Sequence, residues 1–295
     1  MSNINYPDRL RNQIDADGTV PLIGVYDVFS ASIAARHYNG LFISGFSFAA
    51  SFYGLPDVGY ISWSDITAFA QRVRTILPNH HIVVDIDDGY CDADVAVHVS
   101  GLLENIGVSG VVLEDQKRPR RCGHVDGKQI LELDVFLEKL ECVLNQRTNL
   151  YVVARTDATD PKEIVRRVEA FCATDADAIL VDGIGDVGVI REVVSMSSKP
   201  VVFNQIYGGK SQPLSLPQLK ELGVSLVNYS TPCITAAQSA ISTAMETLNK
   251  QNGLLSEDMA PGVDLKECNQ LLNENLEKEY NSQANVARVC KVVGS

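Results

Sequence analysis

The chain has 295 residues, 45% of them hydrophobic and 21% charged, enough for one large α/β domain with a filled core. A formal net charge of -12 and an isoelectric point near 4.8 exclude general binding to nucleic acid or to an anionic membrane, because phosphate recognition needs a cationic surface. No run approaches the roughly 18 apolar residues of a membrane helix. The N-terminal stretch lacks a signal-like apolar segment, and seven scattered cysteines with no CxxC spacing predict a reducing, cytoplasmic compartment.

In chain order, strands are predicted at 21–26, 41–44, 82–87, 110–115, 150–156, 178–183, 200–205 and 225–230. These runs are rich in Val, Ile and Leu with little alternation, as in strands covered on both faces. Amphipathic helices are predicted between most of them, at 64–77, 92–106, 132–147, 161–173, 186–197 and 215–222, with Asp134 and Pro161 near helix starts and Gly223 after a helix end. Eight strand–helix alternations point to a (β/α)8 barrel over residues 1–250, with a doubly wound open sheet as the alternative. Residues 251–295 are polar with sparse leucines at helical spacing, which predicts a C-terminal helical tail, packed on the chain or docked on a neighbouring subunit.

A barrel of this kind carries its chemistry at the C-terminal ends of its strands. There the chain places Tyr26, Ser44-Gly45-Phe46 followed by Asp57, Asp85-Ile86-Asp87-Asp88, Glu114-Asp115, Arg155-Thr156-Asp157, Asp182, Asn204-Gln205 and Asn228-Tyr229-Ser230. Polar groups on nearly every strand at one end are the mark of an enzyme. Asp85 and Asp87 alternate along a strand and so point the same way, and Glu114 follows on the next strand. Three converging carboxylates call for a divalent ion, and oxygen-only ligands suit Mg²⁺ or Mn²⁺. Asp88 and Asp115 are read instead as helix caps.

Between Glu114 and the next helix runs QKRPRRCGHVDG, with Lys117, Arg118, Arg120 and Arg121 ahead of Cys122, Gly123 and His124. A long, charged, glycine-punctuated loop at the catalytic rim is a candidate lid. Its cations would attract an anionic substrate and lower the pKa of Cys122, making the thiol an acid/base near neutral pH. Arg155 is suited to a bidentate grip on a carboxylate, or to an ion pair with a rim acid.

The segments SGFSFAASFYGLPD, VDIDDGY, GVVLEDQ, RRCGH and VVARTDA resemble the isocitrate lyase and phosphoenolpyruvate mutase superfamily over about residues 20–250. The CGH loop resembles the lyase branch that includes 2-methylisocitrate lyase and 2,3-dimethylmalate lyase, although a carboxyphosphonoenolpyruvate mutase shares it. The resemblance implies a Mg²⁺ site on Asp57, Asp85, Asp87 and Glu114, and a homotetramer whose terminal helices swap between subunits. It implies that the backbone around Ser44-Gly45-Phe46 and the side chain of Arg155 hold the 2-oxo-acid end of the substrate, that Gly123 and His124 seat its other carboxylate, that Tyr26, Asp182, Asn204 and Tyr207 line it, and that Cys122 is the lid acid/base with Arg120, His124 and Arg155 as the other catalytic residues. Cleavage would follow the lyase course: a small 2-hydroxy or 2-oxo dicarboxylate breaks at a C–C bond and Cys122 protonates the resulting enolate. Phosphonate chemistry, oxaloacetate hydrolysis and a barrel that only binds a metabolite are the alternatives.

The chain departs from that branch at four places. Arg120 stands where a lysine is usual, Asp182 where a glutamate is, Tyr207 where the Asn204 loop usually carries an acid, and Thr235 where methylisocitrate lyases place an arginine. A smaller diacid or a phosphonate therefore fits better than a tricarboxylate.

Overall fold

The computed structural model describes residues 4–293, with side chains as far as Tyr280. In chain order it runs α1 (Tyr6–Asp17), β1 (Val20–Val25), α2 (Val28–Ala34), β2 (Gly40–Ile43), α3 (Gly45–Phe48), a π-turn at Ala49–Tyr53 and α4 (Trp63–Ile76). Then come β3 (His81–Asp85), α5 (Ala93–Ile106), β4 (Gly110–Glu114), α6 (Leu133–Gln146), β5 (Tyr151–Thr156), α7 (Pro161–Cys172), β6 (Ala178–Val181) and α8 (Val187–Met196). The chain ends with β7 (Val201–Asn204), α9 (Leu216–Glu221), β8 (Leu226–Tyr229), α10 (Pro232–Lys250) and α11 (Leu265–Val293). The eight strands pair in parallel, in sequence order, and close on themselves between β1 and β8. This is the (β/α)8 barrel that the alternation predicts, and the open sheet is ruled out.

Period-two alternation builds the barrel from the inside. Leu22, Phe42, Val83, Val112, Val153, Leu180, Val202 and Leu226 pack together, one from each strand. The residues between them, such as Ile23, Leu41, Val84, Leu113, Ala154 and Ile179, pack outward against the helices in a second cluster. Helix α1 closes the bottom, adding Leu10 and Ile14 to the inner cluster. It is started by Asn5, whose side chain accepts from the Asp8 amide, and stopped by Gly18 at φ 76°, where a left-handed conformation favours glycine. Two residues beyond that inner apolar layer, toward the C-terminal mouth, the same inward positions are Gly24, Ser44, Asp85, Glu114, Arg155, Asp182, Asn204 and Asn228. Apolar inward positions thus give way to mostly polar ones at one end of the barrel.

The strands stop earlier than predicted where this change occurs: β3 ends at Asp85 rather than 87 and β6 at Val181 rather than 183. Four helices lay outside the prediction, α1, α2, α3 and α10, whereas α11 falls in the helical tail that was expected. Helix α11 is half polar and packs on α2 and α4, burying Leu271 and donating from Asn275 Nδ2 to Ser32 Oγ at 2.9 Å. The tail expected over 251–295 is described to residue 293; residues 294 and 295 lie outside the described residues.

Candidate active site

The acids of β3 and β4 meet at the barrel mouth. Asp85 is the last residue of β3, whereas Asp87 lies past the strand in a left-handed turn at φ 52°. The expected strand alternation therefore does not bring Asp87 in; the turn does. Its amide donates to Asp85 Oδ1 at 3.2 Å and its carbonyl accepts from the Glu114 amide at 2.9 Å. Tyr90, at φ 73°, completes the turn, and buried Lys139 braces it by donating to the carbonyls of Asp88 and Cys91 at 2.8 and 3.0 Å. Left-handed non-glycine residues cost about 1–3 kcal/mol each, so two in one turn mark a backbone held for a purpose. Gly45 lies against this pair: a Cβ there would sit 3.1 Å from Asp87 Oδ1 and 3.4 Å from Asp85 Oδ2.

Arg120 stands among these carboxylates, 1% exposed. Its Nε donates to Glu114 Oε1 at 2.8 Å, Nη2 is 3.1 Å from Asp87 Oδ1, and Nη1 pairs with Asp57. The negative charge still exceeds the positive. Burial pushes Glu114 up to about 7, against the pull of Arg120 and Arg155. Burial raises Asp85, and it raises Asp87 well above the usual carboxylate range, with Asp85, Asp57 and Glu114 as like charges. Asp87 Oδ1 and Glu114 Oε2 face guanidinium nitrogens of Arg120 and Arg155 at 3.1 Å but take no aligned hydrogen bond. Surplus acid and hard oxygens with unused hydrogen-bond capacity are what a divalent cation would satisfy. In this arrangement, however, Arg120 takes the centre, and among the described residues no three acids, histidines or cysteines are spaced to hold a metal ion.

The second half of the mouth centres on Arg155. Its Nη2 lies 2.7 Å from Asp182 Oδ2 and 3.1 Å from Glu114 Oε2, while Nε donates to Asp157 Oδ2 at 3.0 Å. Burial alone would raise Asp182; Arg155, His124 and Lys128 outweigh it and hold the carboxyl well below its ordinary value. Asn204 Nδ2 donates to Asp182 Oδ1 at 3.0 Å, and Asn204 Oδ1 accepts from Ser230 Oγ at 2.7 Å.

The loop after β4 is docked on this mouth. His124 Nδ1 accepts from the Lys210 amide at 3.0 Å, which leaves the proton on Nε2, 3.3 Å from Asp182 Oδ1. Lys128 Nζ donates to the Gly123 carbonyl at 2.5 Å and to Asp157 Oδ1 at 2.7 Å. Gln116 brackets Arg121, accepting from its amide and donating to its carbonyl. Cys122 is half-buried, takes a hydrogen bond from the His124 amide, and lies within electrostatic reach of Asp57, Asp182 and Arg155.

Several expectations are corrected. Two of the four lid cations are engaged by the chain's own acids: Arg120 is buried among them, and Arg118 makes a two-point pair with Asp88 at 2.7 and 2.8 Å, while Lys117 and Arg121 are exposed. Cys122 is not lowered. Burial pushes it up to about 12, helped by Asp57 and Asp182 and against the pull of the His124 amide and Arg155. Asp88 and Asp115 cap no helix; Asp115 accepts from Arg167 Nη1 at 2.8 Å and from the Asp157 amide at 3.0 Å. Asp92 and Asp160 cap α5 and α7 instead. Tyr207 is 93% exposed and stays out of the mouth. Phe46 is 36% exposed, and Tyr26 neighbours Asp27 and Cys233 rather than the acid cluster. Ser44 caps the short helix α3 through the Ser47 amide. The sequence reading placed Asp157 at the rim but gave it no role, and it missed Lys128 and Lys210. Asp157 was legible two residues after Arg155, where both can face one another; Lys128 and Lys210 reach their acids, Asp157 and Asp126, across 29 and 84 residues, and those pairings left no local signal.

The sequence profile of the family described as phosphoenolpyruvate phosphomutase matches residues 10–249. The chain belongs to this family. It is 30% identical over 278 residues to the petal death protein of Dianthus caryophyllus, covering 92% of this chain and 86% of that protein. It is 28% identical over 248 residues to a 2-methylisocitrate lyase of Shewanella oneidensis, covering 81% and 84%. The solved structure of a 2,3-dimethylmalate lyase, a member of the phosphoenolpyruvate mutase and isocitrate lyase superfamily, superposes with a TM-score of 0.85 at 26% identity, covering 96% of each chain. The superfamily resemblance drawn from the strand-end motifs and the CGH loop is borne out, as is the reading of the chain as an enzyme with lyases among its relatives.

Proposed function

We propose that this protein is a lyase that breaks a C–C bond in a small 2-hydroxy or 2-oxo dicarboxylate and protonates the resulting enolate from Cys122. One observation carries the reading. The thiol sits on a lid docked over Arg155 and Asp182, and burial keeps it protonated, as a proton donor must be. The C2 hydroxyl, that of the 2-hydroxy acid or that of the water adduct of the 2-oxo acid, gives up its proton to a carboxylate of the mouth, and its carbon becomes the carbonyl of a 2-oxo acid or, from the water adduct, a carboxyl group. The electrons of the broken bond move to the other fragment as an enolate, and the Cys122 S–H returns a proton to carbon. Arg155 would grip one carboxylate once its pairs with Asp182 and Glu114 loosen. The docked lid excludes water from the enolate.

Asp57, Asp85, Asp87 and Glu114 would hold a Mg²⁺ or Mn²⁺ ion, which when bound would stabilise negative charge developing on the departing oxyacid. Ser44, Gly45, Gly123, His124 and Asn204 would line the bound fragment. Asp182, in tight contact with the lid, supports a small diacid rather than a tricarboxylate. A homo-oligomer, a tetramer in our reading, is supported by α10, which buries no side chain along 19 residues and exposes Ile241 and Met245. Six cysteines are free among the described residues, in keeping with a reducing cytoplasm.

The family profile's mutase description favours a second reading, P–C bond chemistry on a phosphonate. The two are separated by incubating the protein with Mg²⁺ and a panel of 2-alkyl- and 2,3-dialkylmalates, oxaloacetate and phosphonopyruvate. Release of a 2-oxo acid from a malate supports the first reading. A new phosphorus resonance from phosphonopyruvate, with no malate cleaved, replaces it with the second.

A further inference from the structure

The residue at the centre of the acid cluster belongs to the lid. Arg120 reaches down from the loop and contacts Asp57, Asp87 and Glu114, three of the four carboxylates that the proposed cation would need. Its path is built for the purpose. Gly59 lies beside its stem at φ 86°, and a Cβ there would sit 3.2 Å from Arg120 Cγ. Arginine is planar, spreads one charge over five N–H groups, and is not deprotonated at working pH. It cannot be cleared from the cluster by neutralisation, as a buried lysine can. A Mg²⁺ ion takes one or two carboxylate oxygens and its remaining waters at about 2.0–2.1 Å in a near-octahedral shell, and that shell would fill the space between these carboxylates that the guanidinium now occupies.

The geometry points to Arg120 and a divalent cation as alternative occupants of one carboxylate cluster, so that metal entry expels Arg120 and loosens the lid. This rests on the cation reading above. The lid then has two states: held down by the chain's own arginine without metal, and freed to accept substrate when the ion arrives. Cys122, two residues from Arg120, would be carried with it. The remaining lid contacts, Lys128 with Asp157 and His124 with the Lys210 amide, are available to re-form over bound substrate.

The test uses the full chain and Mn²⁺ alone. Bound Mn²⁺ is measured by electron paramagnetic resonance of the free ion, and lid opening by trypsin cleavage after Arg120, Arg121 and Lys128, mapped by mass spectrometry. In the wild type, Mn²⁺ should speed cleavage in the lid. Arg120→Gln should bind Mn²⁺ about tenfold more tightly or better, with its lid already open to trypsin before metal is added, because coupling between two sites is reciprocal. Arg120→Lys, which keeps the charge, should lie between and serves if the glutamine variant misfolds. Mn²⁺ binding that leaves the wild-type lid equally or better protected, or equal affinity in wild type and variants, overturns the inference alone. No Mn²⁺ binding to any of the three proteins overturns the cation reading and the inference with it.

Discussion

Gly123 runs so close to the Asp182 carboxylate that no side chain fits between them: a Cβ on Gly123 would overlap Asp182 Oδ2 and lie 2.7 Å from Arg155 Nη2. The lid therefore docks through bare backbone onto the end of β6. Gly123→Ala should lift the loop without disturbing the barrel core, which it does not touch. We expect turnover to fall about 100-fold, since a displacement near 1 Å is enough for that, and trypsin to cut the lid faster. The melting temperature should stay within a few degrees of wild type. Unchanged turnover would show that the docked loop is not the reactive state.

Cys122 and Cys91 should differ in reactivity. Burial pushes the Cys122 thiol up to about 12, so at pH 8 only about one molecule in ten thousand carries its thiolate. Cys91 is exposed. Iodoacetamide at pH 8 should label Cys91 within minutes and leave Cys122 intact, as read by peptide mass spectrometry. Labelling of Cys122 as fast as Cys91 would mean that its thiolate is favoured, as the sequence alone suggested.

Asp115 and Arg167 form a buried pair at 2.8 Å behind the site, and Asp115 in turn receives the amide of Asp157. Removing one partner strands a charge in the interior. Arg167→Met should cost about 3–5 kcal/mol in urea unfolding at pH 7.5. Turnover should fall as well, because Asp157 orients Arg155. Adding Asp115→Asn should restore a large share of the stability and little of the activity. A loss below 1 kcal/mol on the order-of-magnitude scale of exposed pairs would show that the pair is not desolvated.

His81 opens β3 at the closed end of the barrel, with Arg9, Arg74 and His80 nearby. Burial, then Arg9 and Arg74, lower it from 6.5 to about 4. The fold favours the neutral ring. Its stability contribution is therefore full above pH 6.5, falls as pH drops below that, and is exhausted below about 4. Between pH 6.5 and 5 the wild type should lose about 2 kcal/mol through this residue. His81→Gln should abolish that share of the slope, with His80 unchanged in both proteins. Parallel pH profiles of unfolding free energy for the two proteins would contradict the assignment.

The sequence disclosed the barrel because strands buried on both faces leave unbroken apolar runs, and all eight were found within two residues of their predicted ends. It disclosed most of the mouth for a related reason: polar residues at the C-terminal ends of those runs have nowhere else to point. It failed where position depends on tertiary pairing. Arg120 reads as a solvated loop cation because burying it makes sense only once Asp57, Asp87 and Glu114 are known to surround it. The same blindness inverted the expected shift of Cys122, which burial dominates and whose neighbours Arg120 and Arg155 are spent on acids. Asp88 and Asp115 look like caps in one dimension because an acid at a βα junction is usually one; their partners, Arg118 and Arg167, lie 30 and 52 residues away. Tyr207 was placed in the site by register with a family motif, and its loop turns it to solvent.

The central claim, that the lid thiol supplies the proton that completes C–C cleavage, is tested most directly by Cys122→Ser. With Mg²⁺ and whichever substituted malate the wild type cleaves, kcat and the dissociation constant of that malate are measured for both proteins. The account predicts a fall in kcat of about 10²–10⁴-fold, the worth of a positioned general acid, with affinity held within about threefold. A serine variant that turns over at the wild-type rate, or a wild type that cleaves no malate at all, would contradict it.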